Sequence, residues 1–253
     1  MELNHKEFGE GQPVIILHGL FGSLDNWQTI AKKIGEHFRV FIIDQRNHGK
    51  SPHSDEHSFQ LMANDLKEFI DEHELSSPHI VGHSMGGKAA MCFAVTYPEL
   101  LDKLVVVDIA PRAYKPHHDL VFRALFDLDL HAVENRTDAD EKMSQWIAEP
   151  PVRQFLLKNL ARNEQGGFEW KFNLKALFQN YEQINVPLKS DKNVNVSTLV
   201  IKGSESNYIV ENDLTDFKTL FGQVQLVEIK NAGHWVHAEA PKEFADVLNK
   251  FLQ

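Results

Sequence analysis

The sequence predicts an α/β protein, with a mostly parallel sheet flanked by helices and interrupted once by a helical insertion. Three observations carry this expectation. Short runs of β-branched and aliphatic residues recur along the chain, most of them ending at Gly or Asp. Amphipathic helical stretches separate them, the alternation that builds parallel βαβ units. One long stretch, residues 111–186, keeps helical periodicity and offers no convincing strand.

The strand candidates are Val14–Leu17, Val40–Ile43, His79–Val81, Leu104–Val107, Thr198–Ile201 and Leu226–Ile229. Near-continuous apolar runs of this kind suit strands covered on both faces. Glu2–Phe8 is a further candidate for an edge strand. Asp25–Ile34 reads as a helix bounded by glycines. Phe59, Met62, Leu66, Phe69 and Ile70 mark one face of the next helix. Helices are also expected from Met85 to Tyr97, over Asp213–Leu220, and from about Pro241 onward, where Phe244, Val247, Leu248, Phe251 and Leu252 form a stripe. The insertion holds many aromatics, among them Phe122, Trp146, Phe155, Trp170 and Tyr181, and Pro150–Pro151 reads as a break. The resulting organisation is a core in two parts, 1–110 and 187–253, with a helical cap over 111–186.

Composition narrows the function. The net charge of −10 disfavours nucleic acid and anionic membrane surfaces as partners. The single cysteine, Cys92, cannot form an internal disulfide, and no apolar run is long enough to span a bilayer. A cytoplasmic protein without membrane insertion is expected, as a monomer or small homo-oligomer. Of the 14 histidines, pairs such as His53/His57 and His117/His118 lack the spacing of a zinc site. No metal or other cofactor is expected, and most histidines are read as surface or loop residues.

The chemistry concentrates at Gly82-His83-Ser84-Met85-Gly86, a G-x-S-x-G pattern placed between an expected strand and an expected helix. A serine on so sharp a turn exposes its hydroxyl, and the small residues two places either side let the backbone fold tightly. The helix that follows aims unpaired N–H groups at the reaction centre. Ser84 is the candidate nucleophile and Met85 N–H one oxyanion donor. The loop His18-Gly19-Leu20-Phe21-Gly22 follows the first strong strand and offers the second donor. Leu20 is preferred there, with Phe21 as the alternative.

His234 follows Gly233, after the last strand and before the last helix, so it reaches the same sheet edge as Ser84. A neutral imidazole can take the serine proton and return it to the leaving group. His237, one helical turn on, competes for this role. A carboxylate must orient the imidazole. The loop after Thr198–Ile201 carries Ser206 and Asn207 where an Asp is usual in this order of elements, which leaves Glu205 as its candidate. Asp108, at the end of Leu104–Val107, faces the crevice where open α/β sheets bind ligands and is the favoured acid.

Taken together, His18-Gly19, Asp44-Gln45-Arg46-Asn47-His48-Gly49-Lys50-Ser51, the Ser84 elbow and Gly233-His234 make the chain resemble the α/β-hydrolase fold along nearly its whole length. The second of these motifs is read as structural, shaping the turn after its strand. His18 to Asn26, Gly82 to Ala89, Asp108 to Pro111 and Gly233 to Glu239 further resemble the bacterial YbfF-type esterases. That resemblance implies a hydrolase of carboxylic esters or acyl thioesters, acyl-CoA included, with a helical cap. It also implies an acid after the family's sixth strand, which falls on Asp108. Arg112, Lys115, Arg123 and Arg136 are read as surface charge, or as partners for an anionic leaving group such as a CoA phosphate. Competing functions on the same fold are a carbon–carbon bond hydrolase, a cofactor-free haloperoxidase, and a non-catalytic binder of small ligands.

Overall fold

The computed structural model describes residues 1–253. The elements run β1 (His5–Phe8), β2 (Pro13–Leu17), α1 (Gln28–Ile34), β3 (Arg39–Ile43), α2 (Phe59–Glu72), β4 (His79–His83), α3 (Met85–Thr96) and β5 (Lys103–Val107). The segment that follows holds α4 (Asp119–Asp127), α5 (Arg136–Met143), α6 (Pro150–Leu157), β6 (Leu160–Arg162), β7 (Phe168–Trp170) and α7 (Leu174–Gln179). The chain then returns through β8 (Val194–Gly203), α8 (Asp213–Leu220), β9 (Phe221–Ile229), α9 (Val236–Glu239) and α10 (Pro241–Leu252).

The main sheet has the order β1-β3-β2-β4-β5-β8-β9. Only β1 runs antiparallel, as an edge strand on β3. The alternating side chains of the parallel strands feed two cores. Ile15, Leu17, Phe41, Ile43, Ile80, Leu104 and Val106 pack with α2, α3 and α8 on one face. Val14, Ile16, Val40, Ile42, Val81, Val105 and Val107 pack with α1 and α10 on the other. Local chemistry sets the helix starts. Ser58 caps α2 by accepting from Leu61 N–H at 3.3 Å, and Pro241 opens α10.

The segment between β5 and β8 adds no strand to the main sheet. It is not wholly helical, which corrects the sequence expectation. Strands β6 and β7 form a hairpin pairing Leu160 with Trp170 and Arg162 with Phe168. Its turn is organised by the Asn163 carboxamide, which accepts from Gln165 and Gly167 N–H. Three-residue strands carry too little alternation to register in sequence. Pro150–Pro151 likewise starts α6 rather than breaking the chain, as proline does at a first helical turn.

The insertion shares the core of the sheet: Phe122, Leu156, Phe172 and Tyr181 belong to the same apolar cluster as Leu17 and Met85. Its neck is closed by Tyr114 N–H on Asn185 O (2.9 Å) and Leu188 N–H on Pro111 O (2.7 Å). The buried Lys88 of α3 spans the same neck, its Nζ donating to Arg112 O at 2.7 Å and Val186 O at 2.6 Å. Burial and the nearby Arg112 push its pKa down to about 8. No helix is long and apolar enough to cross a membrane.

Candidate active site

Parallel register brings the loops that follow β2, β4, β5, β8 and β9 to one edge of the sheet. Leu17 stands beside Gly82, His83 beside Val107, Val107 beside Ile201, and Gly203 beside Ile229. Ser84 N–H donates to Val107 O (3.0 Å) and Asp108 N–H to Ile201 O (2.8 Å), extending the ladder into the loops. Crevices at such edges are where α/β sheets bind ligands.

Ser84 sits at φ 53°, ψ −120°, a left-handed conformation that costs a non-glycine residue on the order of 1–3 kcal/mol. The flanking glycines are required by contact. A Cβ at Gly82 would stand 2.2 Å from Gly86 O, and one at Gly86 would stand 2.5 Å from His18 O. The turn leaves Ser84 partly exposed at the N-terminus of α3. A Cβ at Gly19 would lie 3.2 Å from Ser84 Cβ, so the loop after β2 runs directly against the serine.

Asp108 is fully buried at φ 51°. Its carboxylate accepts from His234 Nδ1–H at 2.8 Å, from Gly203 N–H at 3.2 Å and from the Ser206 hydroxyl. With Nδ1 protonated, the other ring nitrogen of His234 is the basic one. Glu205 is exposed and touches neither His234 nor Asp108, which decides between the two carboxylates in favour of Asp108 as the partner of this ring. Ser206, standing where an acid is usual, instead secures the acid from the neighbouring strand. His237 is buried, stacks on Trp27 at 4.0 Å between centroids, and burial pushes its pKa down to about 3. It is a neutral core residue and does not meet Asp108.

Three neighbours escaped the sequence reading. His83 Nε2–H donates to His234 O at 2.9 Å, tying the elbow to the loop that carries the imidazole. Its burial holds this ring neutral, with a pKa well below the usual histidine range. Tyr208 stacks on His234 at 3.8 Å and 15°, and its hydroxyl bonds His117 Nε2 at 2.7 Å. Trp235, next to His234, packs against Phe155 of α6 at 5.4 Å. His83 had a sequence signal in its place inside the elbow motif and Trp235 in the stretch Gly233 to Glu239, while Tyr208 had none.

Most of the 14 histidines are read from sequence as surface or loop residues, and a group of six departs from the surface reading. His18, His48, His57, His79, His83 and His237 are all buried. His18, His48 and His57 serve as short hydrogen-bonding aromatics in the loops, a role without periodicity and therefore without a sequence signal, while His79 and His83 lie in β4 and His237 in α9. His18 Nε2 accepts from Gln45 N–H (3.0 Å) and His48 Nε2 from Phe21 N–H (3.2 Å). No three His, Cys, Asp or Glu side chains converge as a metal site would require. The 44–51 loop is structural, as read: Asp44 accepts from Leu24 N–H at 2.8 Å, and buried Arg46 forms a two-pronged pair with Asp65 at 2.6 and 2.8 Å.

Of the two oxyanion candidates after β2, Phe21 has its N–H occupied by His48, while Leu20 N–H makes no hydrogen bond within the chain. Met85 is the first residue of α3, so its N–H lacks a partner in its own helix. Three of the four basic residues of the insertion are engaged elsewhere. Arg112 pairs with Asp213, Arg123 lies 4.0 Å over the Trp146 ring, and Arg136 donates to Leu160 O.

A strained serine on a strand–helix turn, beside a carboxylate-bound histidine at the edge of a parallel sheet, is the architecture of the α/β hydrolases. The chain belongs to that family, whose model, described as alpha/beta hydrolase fold, matches residues 12–241. It is 35% identical over 241 residues to the esterase YbfF of Escherichia coli (95% of this chain, 92% of YbfF). It is 37% identical over 251 residues to the mouse sn-1-specific diacylglycerol lipase ABHD11 (94% of this chain, 80% of ABHD11). A solved marine microorganism esterase superposes with a TM-score of 0.97 at 42% identity, covering 99% of both chains.

Proposed function

We propose that this carboxylic ester hydrolase works through an acyl-enzyme on Ser84. The observation that carries the reading is the bond of His234 Nδ1–H to buried Asp108, which frees the opposite ring nitrogen on the edge where the Ser84 elbow stands. Ser84 Oγ attacks the acyl carbon and passes its proton to His234 Nε2. The oxygen that becomes negative is held by Leu20 and Met85 N–H, donors of a kind each worth about 2.7–4 kcal/mol of barrier. The carbon–oxygen bond to the leaving group then breaks, and the alcohol departs with the proton from Nε2. Water then follows the same route: its proton goes to Nε2 and its oxygen to the acyl carbon, the bond from Ser84 Oγ to that carbon breaks, the carboxylic acid leaves, and the proton on Nε2 returns to Ser84 Oγ. Acyl thioesters fit the same steps with a thiol leaving. Esters are the preferred class, because the arginines that would meet a CoA phosphate are engaged with Asp213, the Trp146 ring and Leu160 O.

Residues 111–186 act in this reading as a cap, and Phe155 with Trp235 forms an apolar wall beside His234. The lone, buried Cys92 suits a reducing compartment such as the cytoplasm. The test is turnover of p-nitrophenyl acetate, butyrate, octanoate and palmitate by wild type and Ser84→Ala, with fluorophosphonate labelling of both. Wild type is expected to turn over and to be labelled. Ser84→Ala should lose about 10⁴-fold or more in kcat and stay unlabelled. Full activity in Ser84→Ala would remove Ser84 as nucleophile, and no labelling of wild type would favour a binder.

A further inference from the structure

Phe21 lies next to the proposed oxyanion donor Leu20, in a left-handed conformation (φ 56°) that an aromatic residue adopts only when its surroundings hold it there. Both of its backbone groups are held from outside its own loop. Its N–H donates to His48 Nε2 at 3.2 Å, and its carbonyl accepts from Asn159 Nδ2 at 2.7 Å. His48 comes from the loop after β3. Asn159 comes from the insertion, between α6 and β6. The Phe21 ring is buried against two further insertion residues, Phe122 and Phe172, each 5.3 Å between centroids.

Asn159 is itself buried, and its backbone is fixed on both sides: N–H to Leu156 O at 3.0 Å, and O from Lys171 N–H at 2.9 Å. Its Oδ1 has no hydrogen-bond partner. A buried unpaired amide oxygen is destabilising, a cost that an apolar side chain of similar volume would not carry. Asn159 keeps the amide and places its N–H on Phe21. A flip of the Leu20–Phe21–Gly22 turn would break both clamps, and with them the direction in which Leu20 N–H points.

We propose that Asn159 is a positioning residue for the oxyanion site, so that the insertion helps to build the reaction centre as well as lying over it. It acts through Phe21, jointly with His48, and does not touch the substrate. The inference rests on the Ser84 acyl-enzyme reading.

The test compares Asn159→Ala with wild type in p-nitrophenyl butyrate turnover, in inhibition by a boronic acid that forms a tetrahedral adduct on serine, and in inhibition by butyrate. The expected result is a fall in kcat of about 10- to 100-fold, the scale of a misaimed catalytic group. The boronic acid should weaken by a similar factor, while butyrate stays within roughly twofold, because only the tetrahedral state uses the donor. His48→Ala should behave likewise, and the double variant should lose less than the product of the two single losses. Unchanged kcat, or equal weakening of boronic acid and butyrate, would overturn the inference. If Asn159→Ala does not fold, Asn159→Leu, which keeps the volume, is read by the same criteria. Activity in Ser84→Ala would sink the underlying reading. An inactive Ser84→Ala beside a fully active Asn159→Ala would sink this inference alone.

Discussion

The strand-end loops and the insertion are held in place by different means. At the sheet edge, position follows from register: each loop continues a hydrogen-bonded strand, and Ser84, Asp108 and Phe21 stand in left-handed conformations that the ladder and its neighbours enforce. The insertion has no strand in that sheet. It is fastened by carboxamide side chains. Asn159 reaches Phe21 O, Asn173 reaches Ser54 O at 3.2 Å, and Asn180 reaches Asp55 O at 2.8 Å. Apolar packing continuous with the core completes the join. The difference teaches that the proposed nucleophile and acid stand on the ladder itself, while the insertion reaches the site through single side-chain contacts, of which the one on Phe21 is proposed to aim the oxyanion donor.

The largest test of this contrast falls on the ladder side. Asp108→Asn should keep the fold and lower kcat by about 10⁴-fold, since the amide favours the wrong imidazole tautomer. Glu205→Gln should leave kcat unchanged. A loss in Glu205→Gln with Asp108→Asn left active would mean that the loop after β8, not β5, supplies the acid.

A second test asks whether the two regions are one cooperative unit. Burial pushes the pKa of His57 and His237 at the core, and of His118 in the insertion, down to about 3. Below pH 6.5 the unfolded chain takes up protons that these rings refuse in the native state. Stability is therefore full above that pH and falls as pH drops towards 3, by about 1.4 kcal/mol per pH unit for each ring. Acid titration followed by far-UV circular dichroism and by tryptophan fluorescence should give one coincident transition, because Trp146 and Trp170 of the insertion pack on the same core. An earlier change in fluorescence would show the insertion opening by itself.

The smallest expected effect lies on the attached side. Phe155→Ala should lower the preference for p-nitrophenyl octanoate over acetate by about fivefold to tenfold, the scale of apolar pocket discrimination. An unchanged ratio would move the acyl wall away from Phe155 and Trp235.

Much of the sheet side was legible from the residues. Runs such as Val40–Ile43 and Leu104–Val107 are buried on both faces and read as strands without ambiguity, and Ser84 and His234 follow from their places after β4 and β9. The insertion was legible only as helical and aromatic. The β6–β7 hairpin is too short to show alternation, and the clamps of Asn159, Asn173 and Asn180 are single polar side chains with no period at all.

The sequence by itself determined the strand and helix pattern, the elbow at Ser84 and the candidates at its edge, because periodicity and turn chemistry are local properties of the chain. Tertiary structure alone decided that Asp108 rather than Glu205 meets His234, that His237 belongs to the core, and that Phe21 N–H is taken while Leu20 N–H is free. Those outcomes depend on which loops the parallel register sets side by side. The partners lie far apart in the chain, 126 residues for Asp108 and His234, a distance over which neither spacing nor pattern carries information.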